Sequence, residues 1–135
     1  FSDACVGILA QRLIRTLCPH CKTPYPASDK DKAFIIRQYG VEHIHELGLP
    51  DDLILHRAQG CEKCGDTGYK GRTGVHELLS MTSPLRSLVY KQAAVNELAA
   101  QATQDGMRTL IQDGIYKVLQ GDTDITQVQV LGGVE

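Results

Sequence analysis

The sequence predicts an α+β fold that is mostly helical, with a helix and short strands first, then a metal-clasped insert and a C-terminal helical bundle. Apolar residues recur at helical spacing near both ends of the chain, and residues 73–79 alternate as in a strand. Two Cys-x-x-Cys pairs flank a polar middle segment. The chain has 135 residues, 42% of them hydrophobic, which is enough for one ordinary domain.

The beginning of the chain has four apolar residues that would share one face of a helix, namely Val6, Leu9, Leu13 and Leu17. We therefore predict a helix at least to Leu13. Residues 14–18 favour a short strand instead, because residues 14–17 also alternate and Cys18 precedes Pro19, which disfavours helical geometry in the residue before it.

The segment between Cys21 and Cys61 is rich in Pro, Asp, Lys and His. Ser28 is placed to cap a helix that runs through about Tyr39 and is stopped by Gly40. The segment has too few apolar residues for independent stability, so we expect a metal to staple it. A strand over residues 73–79 follows, bounded by the glycine-rich residues 68–71.

The C-terminal part of the chain predicts a small helical bundle. Its first helix has Ser83 as N-cap and Pro84 at the first helical position, where a missing N–H costs nothing. A second helix runs from about Val95 to Gly106, because glycine is a common helix terminator.

Two further helices complete the predicted bundle. One begins near Arg108, ends before Gly121 and buries five apolar residues: Leu110, Ile111, Ile115, Val118 and Leu119. Thr123 is then placed to cap a last short helix.

The most specific chemical signal is the pair of Cys-x-x-Cys motifs at residues 18–21 and 61–64. Two thiolates at this spacing turn toward one ion, and four complete the closed tetrahedron of a structural zinc site. We therefore predict that four cysteines bind a structural Zn²⁺: Cys18, Cys21, Cys61 and Cys64. Gly65 suits the sharp turn after the last ligand. Since such a site has no open coordination position, we predict no catalytic residue at the metal.

Two other interpretations of the cysteines remain open. Residues 18–21 resemble a thiol–disulfide redox motif, although such motifs open a helix and the two prolines of residues 22–26 do not favour one. A zinc-ribbon interaction module is the second, although it would carry more basic and aromatic residues near the cysteines. His20 is poorly placed to replace a cysteine ligand, and Cys5 is predicted to be a core residue.

Charge and motif content argue against several functions. Fourteen Lys and Arg residues against 16 Asp and Glu leave a net charge of −2, so nucleic acid is not an expected partner. No run approaches the roughly 20 apolar residues of a membrane span, and we expect a soluble, cytosolic chain. Residues 68–73 have their lysine and glycines in the wrong order for a phosphate-binding loop. The chain alone is therefore not expected to bind or hydrolyse ATP.

Residues 9–21 (LAQRLIRTLCPHC) and 60–79 (GCEKCGDTGYKGRTGVHELL) closely resemble the C-terminal end of secretion and pilus-assembly ATPases. That family includes the type II secretion protein E and the pilus extension ATPases, and the likeness continues through residues 106–110 and 121–123. It implies a hexameric cytoplasmic motor whose upstream RecA-like core binds ATP and Mg²⁺, with most catalytic residues before Phe1. The sequence departs from the family pattern at Gly65 and Asp66, where another residue usually precedes a glycine.

The resemblance also implies a division of the chain into four regions. These are the end of the RecA-like ATPase core at 1–17, a four-cysteine zinc-binding insert at 18–72, a returning core strand at 73–82 and a helical bundle at 83–135. The implied partners are neighbouring subunits of the hexamer and inner-membrane platform proteins, which would hold the motor peripherally at the inner membrane. We expect the chain itself to have a scaffold and coupling role.

Charged and titratable residues outside the cysteine motifs have a simpler interpretation. Arg12, Arg15 and Arg72 could reach a neighbouring subunit's nucleotide in such a hexamer, but isolated arginines are more often surface groups, and we predict that here. Four histidines lack ligand spacing with the cysteines and are predicted to be ordinary polar residues: His43, His45, His56 and His76.

Overall fold

The computed structural model describes residues 6–80 and 108–132. In chain order, the first half contains strand β1 (Val6–Leu17), strand β2 (Thr23–Pro26), helix α1 (Asp29–Tyr39), a 3₁₀ helix (Ile44–Leu47) and strand β3 (Ile54–Arg57). The second half contains another 3₁₀ helix (Glu62–Cys64), strand β4 (Tyr69–Ser80) and helices α2 (Leu110–Leu119) and α3 (Ile125–Gly132).

The strands form two separate antiparallel pairs. β1 pairs with β4, with Val6 opposite Ser80 and Leu17 opposite Tyr69, and we call this pair the ribbon. β2 pairs with β3 in a second, shorter sheet. The ribbon therefore brings the two cysteine motifs together, because one motif directly follows β1 and the other precedes β4.

The predicted helix at the beginning of the chain is wrong, because residues 6–17 form strand β1. Leu13, which was assigned to the buried helix face, is 60% exposed, whereas Ile14 is 4% exposed. Helical spacing of a few apolar residues was outweighed by pairing along the whole of β4, which satisfies backbone groups that a helix would satisfy locally. The strand predicted over residues 14–18 is confirmed for residues 14–17, and the strand over residues 73–79 is confirmed throughout.

Helix α1 begins and ends where its sequence predicts. The Ser28 hydroxyl accepts a hydrogen bond from the Asp31 N–H at 3.1 Å, and the Asp31 carboxylate accepts one from the Ser28 N–H at 3.0 Å. At the other end, Gly40 has a φ of 106° and donates to the Ile36 carbonyl. Reciprocal capping satisfies donors that the first helical turn leaves free, so local chemistry sets both ends of this helix.

Helix α2 is confirmed, with Thr109 as its cap. The Thr109 hydroxyl accepts a hydrogen bond from the Gln112 N–H at 3.2 Å. Ile115 and Val118 are buried as predicted, and the other three apolar residues assigned to this face are partly buried: Leu110, Ile111 and Leu119. The helices predicted near Ser83 and Val95 lie outside the described residues.

The predicted cap of the last helix is wrong by one residue. The Thr123 hydroxyl donates to the Arg15 carbonyl at 2.8 Å, so it is engaged with the ribbon. The Asp124 carboxylate instead accepts from the Gln127 N–H at 3.1 Å and caps α3. Tertiary contact decided which of two adjacent capping residues serves the helix.

The apolar core is shared between the middle segment and the C-terminal helices. α1 and the segment through β3 supply Phe34, Ile35, Tyr39, Leu53 and Leu55, and α2 and α3 supply Ile115, Val118 and Val128. Burying a large aliphatic or aromatic side chain is worth about 1.5–3 kcal/mol, so these residues stabilise both regions jointly. The middle segment therefore does not depend for its stability on its own few apolar residues alone, because it packs against the C-terminal helices.

The described residues form an α+β fold of helices and small antiparallel sheets. β1 and β4 have 12 residues each, whereas α1, α2 and α3 have 11, 10 and 8. Within this part of the chain, strand is therefore as prominent as helix. No helix among residues 6–80 and 108–132 is long and apolar enough to cross a membrane.

Candidate metal centre

The four cysteines of the two motifs lie together at the base of the ribbon. Cys18 directly follows β1 and is buried, and Cys21 lies two residues before β2 and is partly buried. Cys61 and Cys64 are partly buried and lie at the two ends of the short 3₁₀ helix that precedes β4. We call residues 18–22 the first knuckle and residues 61–65 the second knuckle.

The sulfur atoms of the four cysteines have the spacing that a tetrahedral ion requires. The Sγ–Sγ distance is 3.8 Å for Cys18–Cys61, for Cys21–Cys64 and for Cys61–Cys64, and all four Sγ atoms lie within 4.8 Å of one another. A tetrahedron with Zn–S bonds of about 2.3 Å has edges of about 3.8 Å. The four thiols therefore could hold a metal ion, whereas a disulfide would need about 2.05 Å.

Backbone N–H groups point at two of the sulfur atoms. The Gly60 N–H donates to Cys21 Sγ at 3.3 Å, and the N–H groups of Cys61 and Gly68 each donate to Cys64 Sγ at 3.2 Å. Such N–H···S bonds orient the ligands of a metal site and stabilise the thiolate form. These N–H groups thus favour the deprotonated form of both sulfur atoms.

The two knuckles turn in the same way. The Cys21 N–H donates to the Cys18 carbonyl at 3.3 Å in the first knuckle, and the Cys64 N–H donates to the Cys61 carbonyl at 3.2 Å in the second. Gly65 has a φ of 65°, as expected for a sharp turn, and Asp66 has a φ of 63°. Asp is one of the few residues besides glycine that tolerate this conformation, which explains how Asp66 is accommodated here.

The thiol groups differ in their ease of ionisation. Burial opposes ionisation of Cys64, but the N–H groups of Cys61 and Gly68 and neighbouring thiols outweigh it and lower its pKa to about 6. Burial raises the pKa of Cys21 to about 11, and the Gly60 N–H only partly offsets this. Binding of a metal must therefore displace at least the Cys21 proton at neutral pH.

Gly68 supports the cluster in a way that the sequence analysis missed. It is buried, has a φ of 83°, and its carbonyl accepts the Cys18 N–H at 2.9 Å while its own N–H donates to Cys64 Sγ. A Cβ at this position would lie 3.0 Å from Ala58 Cα. From the sequence, residue 68 was interpreted only as part of the glycine-rich segment that bounds a strand. Its position four residues after the last ligand could have indicated this role.

Other candidates from the sequence lie outside the cluster. His20 is exposed, and Cys21 leads into strand β2 rather than the helix that a redox motif opens. Cys5 lies outside the described residues. His56 is not an ordinary polar residue, because its Nδ1 atom is buried and has no hydrogen-bond partner within residues 6–80 and 108–132. None of the remaining described histidines joins the cysteine cluster: His43, His45 and His76.

The three arginines considered above are exposed, as predicted for surface groups. They are Arg12, Arg15 and Arg72. The Arg15 guanidinium lies 4.6 Å from the centre of the Tyr69 ring, so it packs on the ribbon next to the second knuckle.

The fold and the site together define a class of protein: an α+β chain with a cluster of four cysteines, which could hold a metal ion, at the base of a two-stranded ribbon. Residues 1–130 match the family described as "Type II/IV secretion system protein", and the chain belongs to this family. The resemblance stated from the sequence is therefore confirmed.

Several relatives are similar over nearly the whole of this chain. It is 41% identical to the Type II secretion system ATPase E of Vibrio cholerae and 38% identical to the Type IV pilus assembly ATPase PilB of Thermus thermophilus, over 94% of its length in both cases. It is 38% identical to the Type IV pilus assembly ATPase TfpB of Acinetobacter baylyi over 91%. The chain spans only 23%, 13% and 20% of the length of these three relatives, respectively.

Proposed function

We propose that this chain is the C-terminal, zinc-stabilised portion of a hexameric cytoplasmic ATPase that powers type II secretion or type IV pilus assembly. Family membership and relatives named as ATPases of both machines support the proposal. ATP and Mg²⁺ bind in the upstream RecA-like core of the parent protein, and this portion is not itself catalytic. Its function is to hold shape and to couple the core to its partners.

The spacing of the four sulfur atoms is the observation that carries the metal assignment. The ligands are Cys18, Cys21, Cys61 and Cys64, and an all-sulfur tetrahedral set favours Zn²⁺ in a closed structural site. When bound, zinc cross-links residues that are distant in sequence and contributes directly to folding. The site thereby closes the base of the ribbon.

The placement of the cluster suggests how the portion is organised in the parent ATPase. Residues 1–17 and 73–82 belong to the RecA-like core, residues 18–72 form the zinc insert, and residues 83–135 form the helical bundle. The pairing of β1 with β4 supports this division, because the insert then leaves and rejoins the core at neighbouring points. The partners are neighbouring subunits of the hexamer and platform proteins of the inner membrane, where the motor is peripheral.

The metal assignment is tested by elemental analysis of protein purified without added metal. We expect about one zinc per chain, lost in Cys61→Ser together with thermal stability. Cys5→Ser is the matched control, since this cysteine is not predicted to be a ligand, and it should keep its zinc. Absence of metal with reversible pairing of the thiols would instead favour a thiol–disulfide function.

The coupling role is tested in cells that depend on the full-length ATPase. We expect Cys61→Ser, or deletion of residues 23–59, to abolish secretion or piliation, whereas Cys5→Ser should not. The proposed role fails if cells with the deletion secrete or pilate normally while the deleted protein accumulates to the normal level.

A further inference from the structure

We propose that the residues flanking the metal site form a latch for the C-terminal helices, so that metal occupancy controls the docking of the α2–α3 turn (residues 120–124) on the ribbon. This inference rests on the metal site proposed above. It concerns what the site holds in place, beyond its own closure.

The first knuckle contacts the turn from both of its ends. Immediately before Cys18, the Leu17 N–H donates to the Asp122 carbonyl at 2.9 Å. Immediately after Cys21, the Lys22 ammonium donates to the Gly121 carbonyl at 2.9 Å. Leu17 adjoins one cysteine of the knuckle and Lys22 adjoins the other, so opening of the knuckle would shift both donors relative to the adjacent carbonyls of the turn.

The second knuckle holds the same turn through β4. Gly68 donates to Cys64 Sγ and accepts from the Cys18 N–H, which links both knuckles directly to the start of β4. The next residue, Tyr69, donates its hydroxyl to the Asp124 carboxylate. A change in the position of Cys64 is therefore passed to Asp124 through two successive residues.

The turn is buried where it meets the ribbon. Thr123 is 0% exposed, and its hydroxyl donates to the Arg15 carbonyl, while the Arg15 N–H donates to the Gln127 side-chain oxygen at 3.0 Å. Asp124 is also buried and caps α3. Buried polar groups are costly when unpaired, so displacement of the ribbon base would favour release of the whole turn rather than a partial shift.

The buried residues of the apolar core do not include those of the turn. Ile115, Val118 and Val128 pack with Ile35 and Leu55 in the shared apolar core. Loss of metal should therefore weaken the contacts between the turn and the ribbon before α1 unfolds. This difference makes the latch distinguishable from general destabilisation.

Amide hydrogen exchange of the full-length protein, with zinc bound and after chelation, tests the latch. Because the Arg15 and Leu17 amides donate directly to the C-terminal segment, we expect peptides containing them, and those spanning residues 120–127, to exchange about tenfold faster without metal. Peptides from α1 should change by less than about threefold.

Two lysine variants separate the latch from the metal site. Lys22→Met removes one donor to the turn but no ligand, so we expect zinc to be retained and exchange at residues 120–124 to rise by about threefold. Lys63→Met, at an exposed lysine of the second knuckle, should change neither property.

The outcomes distinguish failure of the latch from failure of the metal site. If zinc binds but its removal leaves residues 120–127 unchanged, or accelerates exchange equally in α1, the latch is refuted and the metal site stands. If Lys22→Met behaves like Lys63→Met, the proposed contact carries no coupling and the latch is again refuted. If no metal binds, the metal site is refuted and the latch with it.

Discussion

Replacement of Gly68 by alanine should destabilise the protein more than replacement of any glycine whose surroundings are open. Gly68 has a φ of 83°, and an added Cβ would lie 3.0 Å from Ala58 Cα and 3.1 Å from the Gln59 nitrogen. These are backbone atoms, so they cannot move aside cheaply. Gly65 offers a matched control, because it has a φ of 65° and its added Cβ would meet nothing within 4 Å.

The expected magnitudes follow from these two environments. A left-handed conformation costs an alanine about 1–2 kcal/mol, and both variants incur this cost. Overpacking adds about 1–3 kcal/mol at Gly68 alone. The Gly68 N–H also bonds Cys64 Sγ, and loss of such a supporting contact lowers metal affinity by about 10–100-fold. We therefore expect Gly68→Ala to be less stable than Gly65→Ala by about 1–3 kcal/mol.

Urea denaturation with zinc present measures the difference in free energy of unfolding, and competition with a chromophoric chelator measures zinc affinity. Equal unfolding free energies for the two variants would refute the packing argument. Equal zinc affinities would refute the supporting role of Gly68 at the cluster. Because bound zinc also stabilises the folded chain, the contribution of the zinc-affinity difference is subtracted from the difference in unfolding free energy before the packing argument is judged.

Three further predictions follow from burial and pKa. Leu55→Ala should destabilise the protein by about 2–5 kcal/mol, whereas Ile54→Ala should cost under about 1 kcal/mol, because Leu55 is 0% exposed and Ile54 is 46% exposed; equal losses in urea denaturation would contradict this. Burial, and secondarily Lys22, lowers the pKa of His56. As the pH falls, the unfolded chain therefore takes up a proton on this histidine at a higher pH than the folded chain does, and stability should fall below about pH 6.5. Thermal melts of His56→Gln should show a smaller loss of stability in that range than those of the parent chain. Zinc affinity should rise at least about tenfold per pH unit between about pH 7 and 9, because the pKa of Cys21 is raised to about 11 and its proton must leave on binding; chelator competition showing no pH dependence would be inconsistent with this.

Predictions from the sequence succeeded where neighbouring residues supply the physical cause. Ser28 and Gly40 set the two ends of α1 through hydrogen bonds to residues three or four positions away, and Thr109 sets the start of α2 in the same way. The cysteine cluster was equally predictable, because the Cys-x-x-Cys spacing creates a turn that presents two sulfur atoms to one point.

Predictions failed where a distant segment outweighed the local pattern. β1 was predicted to be largely helical, and its pairing with β4 could not be inferred from its own apolar spacing. Thr123 and Asp124 are adjacent and both suit an N-cap, but the Arg15 carbonyl engages Thr123 and leaves Asp124 to α3. The role of Gly68 depends on Ala58 and Cys18, neither of which is adjacent to it in sequence.

The sequence by itself determined which four cysteines form the cluster, the ends of α1 and the start of α2, because capping and knuckle geometry act over three or four residues. Only the tertiary structure decided that residues 6–17 are a strand and that the turn at residues 120–124 contacts the residues beside the first knuckle. Those features depend on backbone hydrogen bonds and packing between segments far apart in the chain. These hydrogen bonds and packing contacts contribute to stability only once the segments are brought together.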